Sequence, residues 1–191
     1  MFINHGLKEI HLKIVYYGPA LSGKTTNLEY IHAHTNPQMR SELVSLKAQK
    51  DRTIFFDFLQ LGLGKIKGLK PKFSLYTVPG QVYYAASRKL VLQGADGVVF
   101  VADSQRHRLT DNQKDLVRLE QYLEQMGHQP EVFPLVLQCN KQDLPDVLDP
   151  TVLKAHLGRN GVPCFASVAT QGVGVFETLK AIINQVVREL R

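Results

Sequence analysis

The residues best placed to do chemistry form a glycine-bounded loop, Gly18-Pro19-Ala20-Leu21-Ser22-Gly23-Lys24-Thr25. Two glycines spaced to end in Gly-Lys-Thr are typical of a P-loop, whose backbone N–H groups surround phosphate oxygens. In such a loop Lys24 reaches the β and γ phosphates and the Thr25 hydroxyl binds Mg²⁺. The pattern therefore predicts a nucleotide phosphate site. Its expected contacts are Gly18, Ala20, Leu21, Ser22, Gly23, Lys24, Thr25 and Thr26.

The segments beside this loop have the order that such a site requires. Residues 8–17 alternate and then become continuously apolar, which predicts a strand that is buried on both faces by its end. Residues 25–34 carry apolar side chains at helical spacing and stop before Asn36-Pro37, a pair that disfavours a continuing helix. The helix would present its positive N-terminus to the bound anion.

Strands and helices alternate along the rest of the chain. Predicted strands are 53–61, 70–78, 97–102, 133–140 and 164–169, and predicted helices are 84–93, 110–126 and 175–190. Glycines between the first two of these strands indicate a hairpin. The alternation predicts an α/β fold, a mostly parallel sheet with helices on both faces and a ligand crevice at the carboxyl ends of its strands. At 191 residues, we expect one domain, 1–191.

Composition narrows the classes of function. A hydrophobic fraction of 44% with 21% charged residues argues against a disordered or fibrous chain. The net charge is +6, but the basic residues are scattered, so we expect no specific nucleic-acid partner. No stretch has signal-peptide or membrane-spanning character, and the sequence lacks a prenylation Cys and a myristoylation Gly. We therefore expect a cytoplasmic protein with no direct membrane anchor.

The cysteines and histidines indicate neither a disulfide framework nor a metal centre. Cys139 and Cys164 each lie in an apolar stretch, where a thiol is expected to act as a small buried hydrophobe. The 7 histidines include no pair with metal-ligand spacing and a third ligand nearby.

A second motif, Asn140-Lys141-Gln142-Asp143, directly follows a predicted strand. It resembles the Asn-Lys-x-Asp guanine motif of Ras-like GTPases, which implies a Ras-like P-loop fold and base contacts from Asn140, Lys141 and Asp143. In that family the Asp carboxylate accepts two hydrogens from the guanine edge. Adenine has no such donor pair, so a buried Asp143 would remain unpaired beside ATP. The resemblance implies selectivity for guanine.

Two further segments resemble parts of the same family. Val168-Ala169-Thr170 is similar to its Ser-Ala-Lys motif, which implies base contacts from Val168, Ala169 and Thr170 and places the Ala169 N–H at the guanine carbonyl. Thr77-Val78-Pro79-Gly80-Gln81 aligns with its Asp-x-x-Gly-Gln segment, in which Gly80 would sense the γ phosphate and Gln81 would orient the attacking water.

Thr77 stands where that family has an Asp, so the usual acidic support for Mg²⁺ is missing. Asp57, on the neighbouring predicted strand, is either its substitute or a solvated strand residue. Between the P-loop and Gly80 lies Asp51-Arg52-Thr53, the only Arg-Thr pair in the region where the family has its switch Thr. The resemblance therefore implies that Thr53 binds Mg²⁺ and the γ phosphate. Arg52 is either an internal arginine finger that neutralises transition-state charge or a surface residue.

The Tyr16-Tyr17-Gly18-Pro19 segment, the Arg52-Thr53 pair and the Thr77–Gln81 segment resemble the MglA family of bacterial gliding-motility GTPases. The likeness runs from about Lys13 to the C-terminal helix. It implies a switch between GTP and GDP in cell polarity or motility, a homodimeric roadblock-type activator of the MglB kind, polarity or motility effectors, and a switch strand whose register depends on the nucleotide.

Two other classes of function remain open at this point. Because Thr77 replaces an Asp, the chain is either a slow GTP hydrolase that a partner stimulates or a nucleotide-dependent binding module with little hydrolysis. A P-loop ATPase or small-molecule kinase is the second alternative, and it would make no use of Asn140 and Asp143. Competition between GTP and ATP distinguishes it from a GTPase.

Overall fold

A computed structural model describes residues 1–46, 56–62, 64–66, 68–79, 85–159 and 161–190. The strands in these ranges are β1 (Phe2–Asn4), β2 (Glu9–Tyr17), β3 (Val44–Leu46), β4 (Phe56–Gly62), β5 (Lys70–Thr77), β6 (Gly97–Asp103), β7 (Leu135–Asn140) and β8 (Cys164–Ala166). The helices are α1 (Lys24–His34), α2 (Ala85–Leu92), α3 (Leu109–Gln125), α4 (Pro150–His156) and α5 (Val175–Arg188). Short 3-10 helices at Pro37–Met39 and Arg106–Arg108 precede β3 and α3.

The described strands form one mixed sheet in the order β3-β4-β5-β2-β6-β7-β8, with β1 paired to the start of β2. β2 pairs in parallel with both β5 and β6, and β6-β7 and β7-β8 are also parallel. β4 and β5 are antiparallel, as the hairpin prediction requires. The predicted α/β fold with a mostly parallel sheet is confirmed.

Two apolar cores lie on opposite faces of the sheet, because successive side chains of β2 point to opposite sides. Ile14 and Tyr16 pack with α1 and α5, while Val15 and Tyr17 pack with α2 and α3. All four of these β2 side chains are buried. The strand that leads into the P-loop is therefore held from both faces at its carboxyl end.

Besides the two 3-10 helices, the structure adds two strands and one helix that the sequence did not predict. β1 and β3 each have 3 residues, too few for a periodic pattern. α4 begins at Pro150, which is preceded by a capping Asp149 whose side chain accepts a hydrogen bond from the Thr151 N–H at 2.8 Å.

No helix within the described ranges is long and apolar enough to cross a membrane.

Candidate nucleotide-binding site

The P-loop joins the end of β2 to the start of α1, and its two glycines occupy positions where a side chain does not fit. Gly18 has a φ of 143°, and a Cβ there would lie 2.3 Å from the carbonyl oxygen of Val101. Gly23 has a φ of 100°, and its Cβ would lie 2.2 Å from Nδ2 of Asn140. Backbone strain and close approach thus both require glycine at each position.

Lys24 is a buried cation within this loop, with 6% of its surface exposed. Its ammonium group donates hydrogen bonds to the carbonyl oxygens of Gly18 at 3.0 Å and Pro19 at 2.6 Å. Burial lowers the pKa of Lys24 from 10.5 to about 7. Among the described residues no carboxylate forms an ion pair with it. A bound phosphate would supply both the missing counter-charge and an acceptor for the third N–H donor.

A buried amide pair fixes the first turn of α1 to strand β7. Asn27 donates through Nδ2 to the Gly23 carbonyl at 2.9 Å and to Gln138 Oε1 on β7 at 2.8 Å. Gln138 returns a hydrogen bond from Nε2 to Asn27 Oδ1 at 3.0 Å. Sequence reasoning missed this pair. The available signal was Gln138, a polar residue within an apolar strand, because a buried side-chain amide needs a hydrogen-bond partner.

Asn140 joins the P-loop to the two predicted base loops. Its Nδ2 donates to the Ser22 carbonyl at 2.8 Å, and its Oδ1 accepts from the Ala169 N–H at 2.9 Å. Asn140 is 2% exposed, so both bonds form in a buried environment. Three segments that are distant in the chain therefore meet at one side-chain amide. The Ala169 N–H, which the resemblance assigned to a guanine carbonyl, is directed at Asn140 here.

These three loops enclose a cavity of about 210 Å³. Eight of the nine residues lining it were predicted from the sequence, and Leu144 is the addition. The lining consists of Leu21, Gly23, Thr26, Asn140, Lys141, Asp143, Leu144, Ala169 and Thr170. The predicted base contact Asp143 thus lies beside the predicted P-loop contacts. Val168, which was also predicted, is 8% exposed and pairs with Val173 at the edge of this region.

Asp103 and Arg108 are further polar residues at this edge that the sequence analysis did not select. Lys141 has a left-handed backbone, with a φ of 69°, and its Nζ lies 2.6 Å from Oδ2 of Asp103. Arg108 donates through Nη2 to the Ala20 carbonyl of the P-loop at 2.8 Å, and its Nε lies 3.8 Å from the same Asp103 oxygen. Asp103 could have been selected from the sequence, because it is an acidic residue at the end of the predicted strand. The C-terminal ends of parallel strands lie at one edge of the sheet, where the site is expected.

The structure brings Asp57 to the Thr25 hydroxyl. Oδ2 of Asp57 accepts from Thr25 Oγ1 at 2.6 Å and from Thr77 Oγ1 at 2.8 Å, while Oδ1 accepts from Ser45 Oγ at 2.7 Å. Thr77 occupies the position of the family's Asp, and the nearby carboxylate comes instead from the adjacent strand β4. Such an oxygen cluster matches the ligand preference of Mg²⁺. Within the described ranges no three His, Cys, Asp or Glu residues cluster as an alternative metal site.

The predicted catalytic and switch residues Arg52, Thr53, Gly80 and Gln81 lie outside the described residues. The chain directly before Gly80 is described, and there Arg88 donates through Nε to the Pro79 carbonyl at 2.8 Å.

Comparisons with known proteins show which family the chain resembles. The sequence profile of the ADP-ribosylation factor family matches residues 1–186, a range that contains the P-loop and both base loops. The chain is also 50% identical over 190 residues to the mutual gliding-motility protein MglA of Myxococcus xanthus strain DK1622. That alignment covers 100% of this chain and 97% of the relative.

Proposed function

The chain belongs to the ADP-ribosylation factor family of small GTPases, and on that premise we propose that it is a switch in bacterial cell polarity or gliding motility. As a small GTPase it binds GTP and GDP and hydrolyses GTP. The observation that supports the role in motility or polarity is the 50% identity along the whole chain to a protein named for gliding motility. The family favours this reading over a P-loop ATPase or small-molecule kinase.

For the nucleotide, the proposal assigns the phosphates to the P-loop and the base to the cavity beside Asn140. Lys24 is desolvated and lacks a described ion-pair partner, which suits it to the phosphate charge. Asp143 lines the cavity that Asn140 and Ala169 also border, which suits it to the donor edge of guanine. The remaining proposed contacts are Gly18, Ala20, Leu21, Ser22, Gly23, Thr25, Thr26, Lys141, Val168, Ala169 and Thr170.

For the metal, we propose that the Thr25 and Thr53 hydroxyls and the Asp57 carboxylate hold Mg²⁺. The support is the 2.6 Å contact between Thr25 and Asp57, which brings an anionic and a neutral oxygen to the start of α1. When bound, Mg²⁺ neutralises charge on the β and γ phosphate oxygens. In this proposal Gly80 senses the γ phosphate, Gln81 aligns the water and Arg52 supplies charge to the transition state.

For partners, the proposal includes a homodimeric roadblock-type activator related to MglB, together with polarity or motility effectors. It places the switch in the cytoplasm, and the two free cysteines, Cys139 and Cys164, suit a reducing compartment. In this proposal the activator accelerates hydrolysis by helping to position the groups that act in phosphoryl transfer.

Single-turnover hydrolysis of prebound GTP tests the proposal. The chain is loaded with GTP and Mg²⁺, and phosphate release is followed alone and with the roadblock protein from the same cell. We expect slow release alone and at least about 10³-fold acceleration with the activator, the scale of a completed phosphoryl-transfer site. An unchanged rate would contradict the proposed partner. ATP competing as well as GTP would contradict the proposed base site.

The motility role is tested in the cell that encodes the chain. A fluorescently tagged copy should concentrate at a cell pole and lose that position when Lys24→Ala prevents nucleotide binding. Uniform distribution of the unmodified protein, together with unaltered movement after deletion of its gene, would remove the role in polarity while leaving the GTPase activity intact.

A further inference from the structure

The two cysteines lie side by side on neighbouring strands. Cys139 on β7 and Cys164 on β8 are 25 positions apart in the chain, yet their Sγ atoms are 3.3 Å apart. Cys139 is buried, whereas Cys164 is partly exposed. Both thiols also lie near the Pro150 carbonyl oxygen, at 4.0 Å and 3.8 Å. The pair therefore combines one accessible thiol with one protected thiol.

We propose that Cys139 and Cys164 are a peroxide-responsive pair that closes reversibly into a disulfide and thereby loosens guanine-nucleotide binding. The second half of this proposal rests on the base site proposed above.

The two sulfur atoms are already close to bonding distance, although bond formation requires a local backbone shift. A disulfide has an S–S distance of about 2.05 Å, so the sulfur atoms need to approach by about 1.2 Å from their present 3.3 Å. The strands that carry them are already paired in parallel, with Leu137 opposite Cys164 and Cys139 opposite Ala166. Because the cysteines are diagonal neighbours in this register, closing the bond must pull the two strand ends toward each other.

The chemistry begins at the more accessible sulfur. The hydrogen bond from Cys139 and the positive charge of Lys154 lower the pKa of Cys164, which favours its thiolate. The Cys164 thiolate attacks one oxygen of hydrogen peroxide, the O–O bond breaks, and a sulfenic acid forms with release of hydroxide.

Cys139 resolves this intermediate. The hydrogen bond with Cys164 and burial raise the pKa of Cys139, so its thiol keeps its proton until the intermediate forms. Its sulfur then attacks the sulfenic sulfur, the S–O bond breaks, and the departing hydroxide takes the Cys139 proton as water. In total the two thiols lose two electrons and two protons, and one hydrogen peroxide becomes two waters.

The backbone of Cys139 connects this bond to the base loops. Asn140, the next residue, donates to the Ser22 carbonyl at 2.8 Å, and the Cys139 carbonyl itself accepts from the Ser167 N–H at 2.9 Å. The Ser167 carbonyl in turn accepts from the Gln142 N–H at 3.1 Å. Pulling Cys139 toward β8 shifts Asn140 relative to the P-loop. We expect GDP release to accelerate about tenfold, the scale of one weakened buried hydrogen bond.

The test uses the full chain loaded with fluorescently labelled GDP and Mg²⁺. Hydrogen peroxide is added and then destroyed with catalase. One portion is denatured and alkylated with N-ethylmaleimide for intact mass and peptide mapping, and the other is chased with unlabelled GDP. We expect loss of both alkylation sites, a peptide pair linked through Cys139 and Cys164, faster release of labelled GDP, and reversal of all three by dithiothreitol.

Cys164→Ser is the matched control, because it removes the accessible sulfur and keeps its size. It should show no intramolecular disulfide and no peroxide effect on release. If its circular dichroism differs from that of the unmodified chain, Cys164→Ala serves in its place. If both thiols still alkylate at a peroxide concentration that oxidises the chain's 3 methionines, the proposed pair is wrong. A disulfide with an unchanged release rate would overturn the link to nucleotide binding.

If the proposed base site is wrong, the same experiment gives a result that differs from failure of the cysteine pair. A fully reduced chain that does not retain labelled GDP would contradict the proposed nucleotide contacts. The alkylation and peptide map would still report whether the two thiols had joined.

Discussion

The carboxylate of Asp57 and the hydroxyl of Thr25 are 2.6 Å apart, although one lies on strand β4 and the other in the first turn of α1. The same carboxylate oxygen accepts a hydrogen bond from Thr77, at the end of β5. One acidic side chain therefore connects the P-loop helix to the strand that leads into the proposed γ-phosphate sensor. In our proposal, Asp57 takes the place of the acidic residue that the wider family has at the position of Thr77.

Replacing Asp57 by Asn should weaken Mg²⁺-dependent retention of GDP. Asn has nearly the same shape but no negative charge, so the proposed metal loses its only described acidic neighbour. We expect the Mg²⁺ concentration needed for slow GDP release to rise about 10- to 100-fold, the usual effect of removing such a group. Ser45→Ala is the control, because it removes the 2.7 Å bond to the other carboxylate oxygen and keeps the charge. Equal shifts in the two variants would contradict a metal role for Asp57.

Replacing Asp143 by Asn should change which base is bound. The carboxylate accepts the donor pair of guanine, and loss of two charged hydrogen bonds should reduce GTP affinity about 10³-fold. Xanthine carries a carbonyl where guanine has an amino group, so the Asn amide should restore binding of xanthosine triphosphate. Competition against labelled GDP measures both effects. Asp146→Asn, at a side chain that is 74% exposed, should change neither.

Nucleotide binding should consume protons at alkaline pH. Burial lowers the pKa of Lys24 to about 7, and phosphate charge would raise that pKa in the complex. Below pH 7 the ammonium is already charged, whereas above it binding must add a proton. Affinity should therefore fall as pH rises above about 7. Calorimetry at about pH 8 in two buffers with different ionisation enthalpies measures the uptake, which we expect to approach one proton.

The exposed residue Lys180 on α5 provides the comparison for this pH effect. Lys180→Met should leave proton uptake unchanged. Identical binding enthalpies for the unmodified chain in the two buffers would show that Lys24 is already charged before the nucleotide arrives.

Removing Arg52 should separate hydrolysis from binding. If Arg52 neutralises transition-state charge, Arg52→Ala should leave GDP affinity nearly unchanged and slow GTP hydrolysis by about 10³-fold or more. Single-turnover phosphate release with the activator present measures the rate. Arg106→Ala is a suitable comparison, because it removes a guanidinium group that is 63% exposed. A rate within about twofold of the unmodified chain would make Arg52 a surface residue.

Arg88 and Arg118 should differ sharply in their effect on stability. Both guanidinium groups reach Oδ1 of Asp115, at 3.1 Å and 2.8 Å, but the Arg88 side chain is 2% exposed and that of Arg118 is 37% exposed. Arg88→Met removes the buried positive charge beside the Asp115 carboxylate, so we expect the free energy of unfolding to fall by about 3 kcal/mol. Arg118→Met should cost about 1 kcal/mol or less. Urea unfolding measures the stability of both variants. Equal losses of stability would contradict the different roles given to Arg88 and Arg118.

The sequence predicted the parts of the site that depend on local spacing. The P-loop and the Asn140–Asp143 motif are short, and their chemistry follows from the order of residues within them. Their placement at one edge of the sheet followed from the alternation of strands and helices. The three-residue strands β1 and β3 were missed because they are too short to show a period.

Contacts between distant residues were harder to foresee. Apolar surroundings predicted that Cys139 and Cys164 would be inside the protein, but they contained no information that the two sulfurs would meet. The Asp103–Lys141 ion pair depends likewise on two loops that only the folded sheet brings together. By contrast, Asp57 was selected because a missing Asp at Thr77 required a replacement nearby.

The hydrogen bonds of Asn140 span 118 positions to Ser22 and 29 positions to Ala169. Because synthesis proceeds from the N-terminus, the phosphate loop leaves the ribosome long before its base-side partners. A nascent chain that ends before β8 can hold a phosphate loop, but it has no complete base pocket. In the proposed site, the side of the base pocket formed by Ala169 and Thr170 is made last, so guanine recognition is complete only when nearly the whole chain has been synthesised.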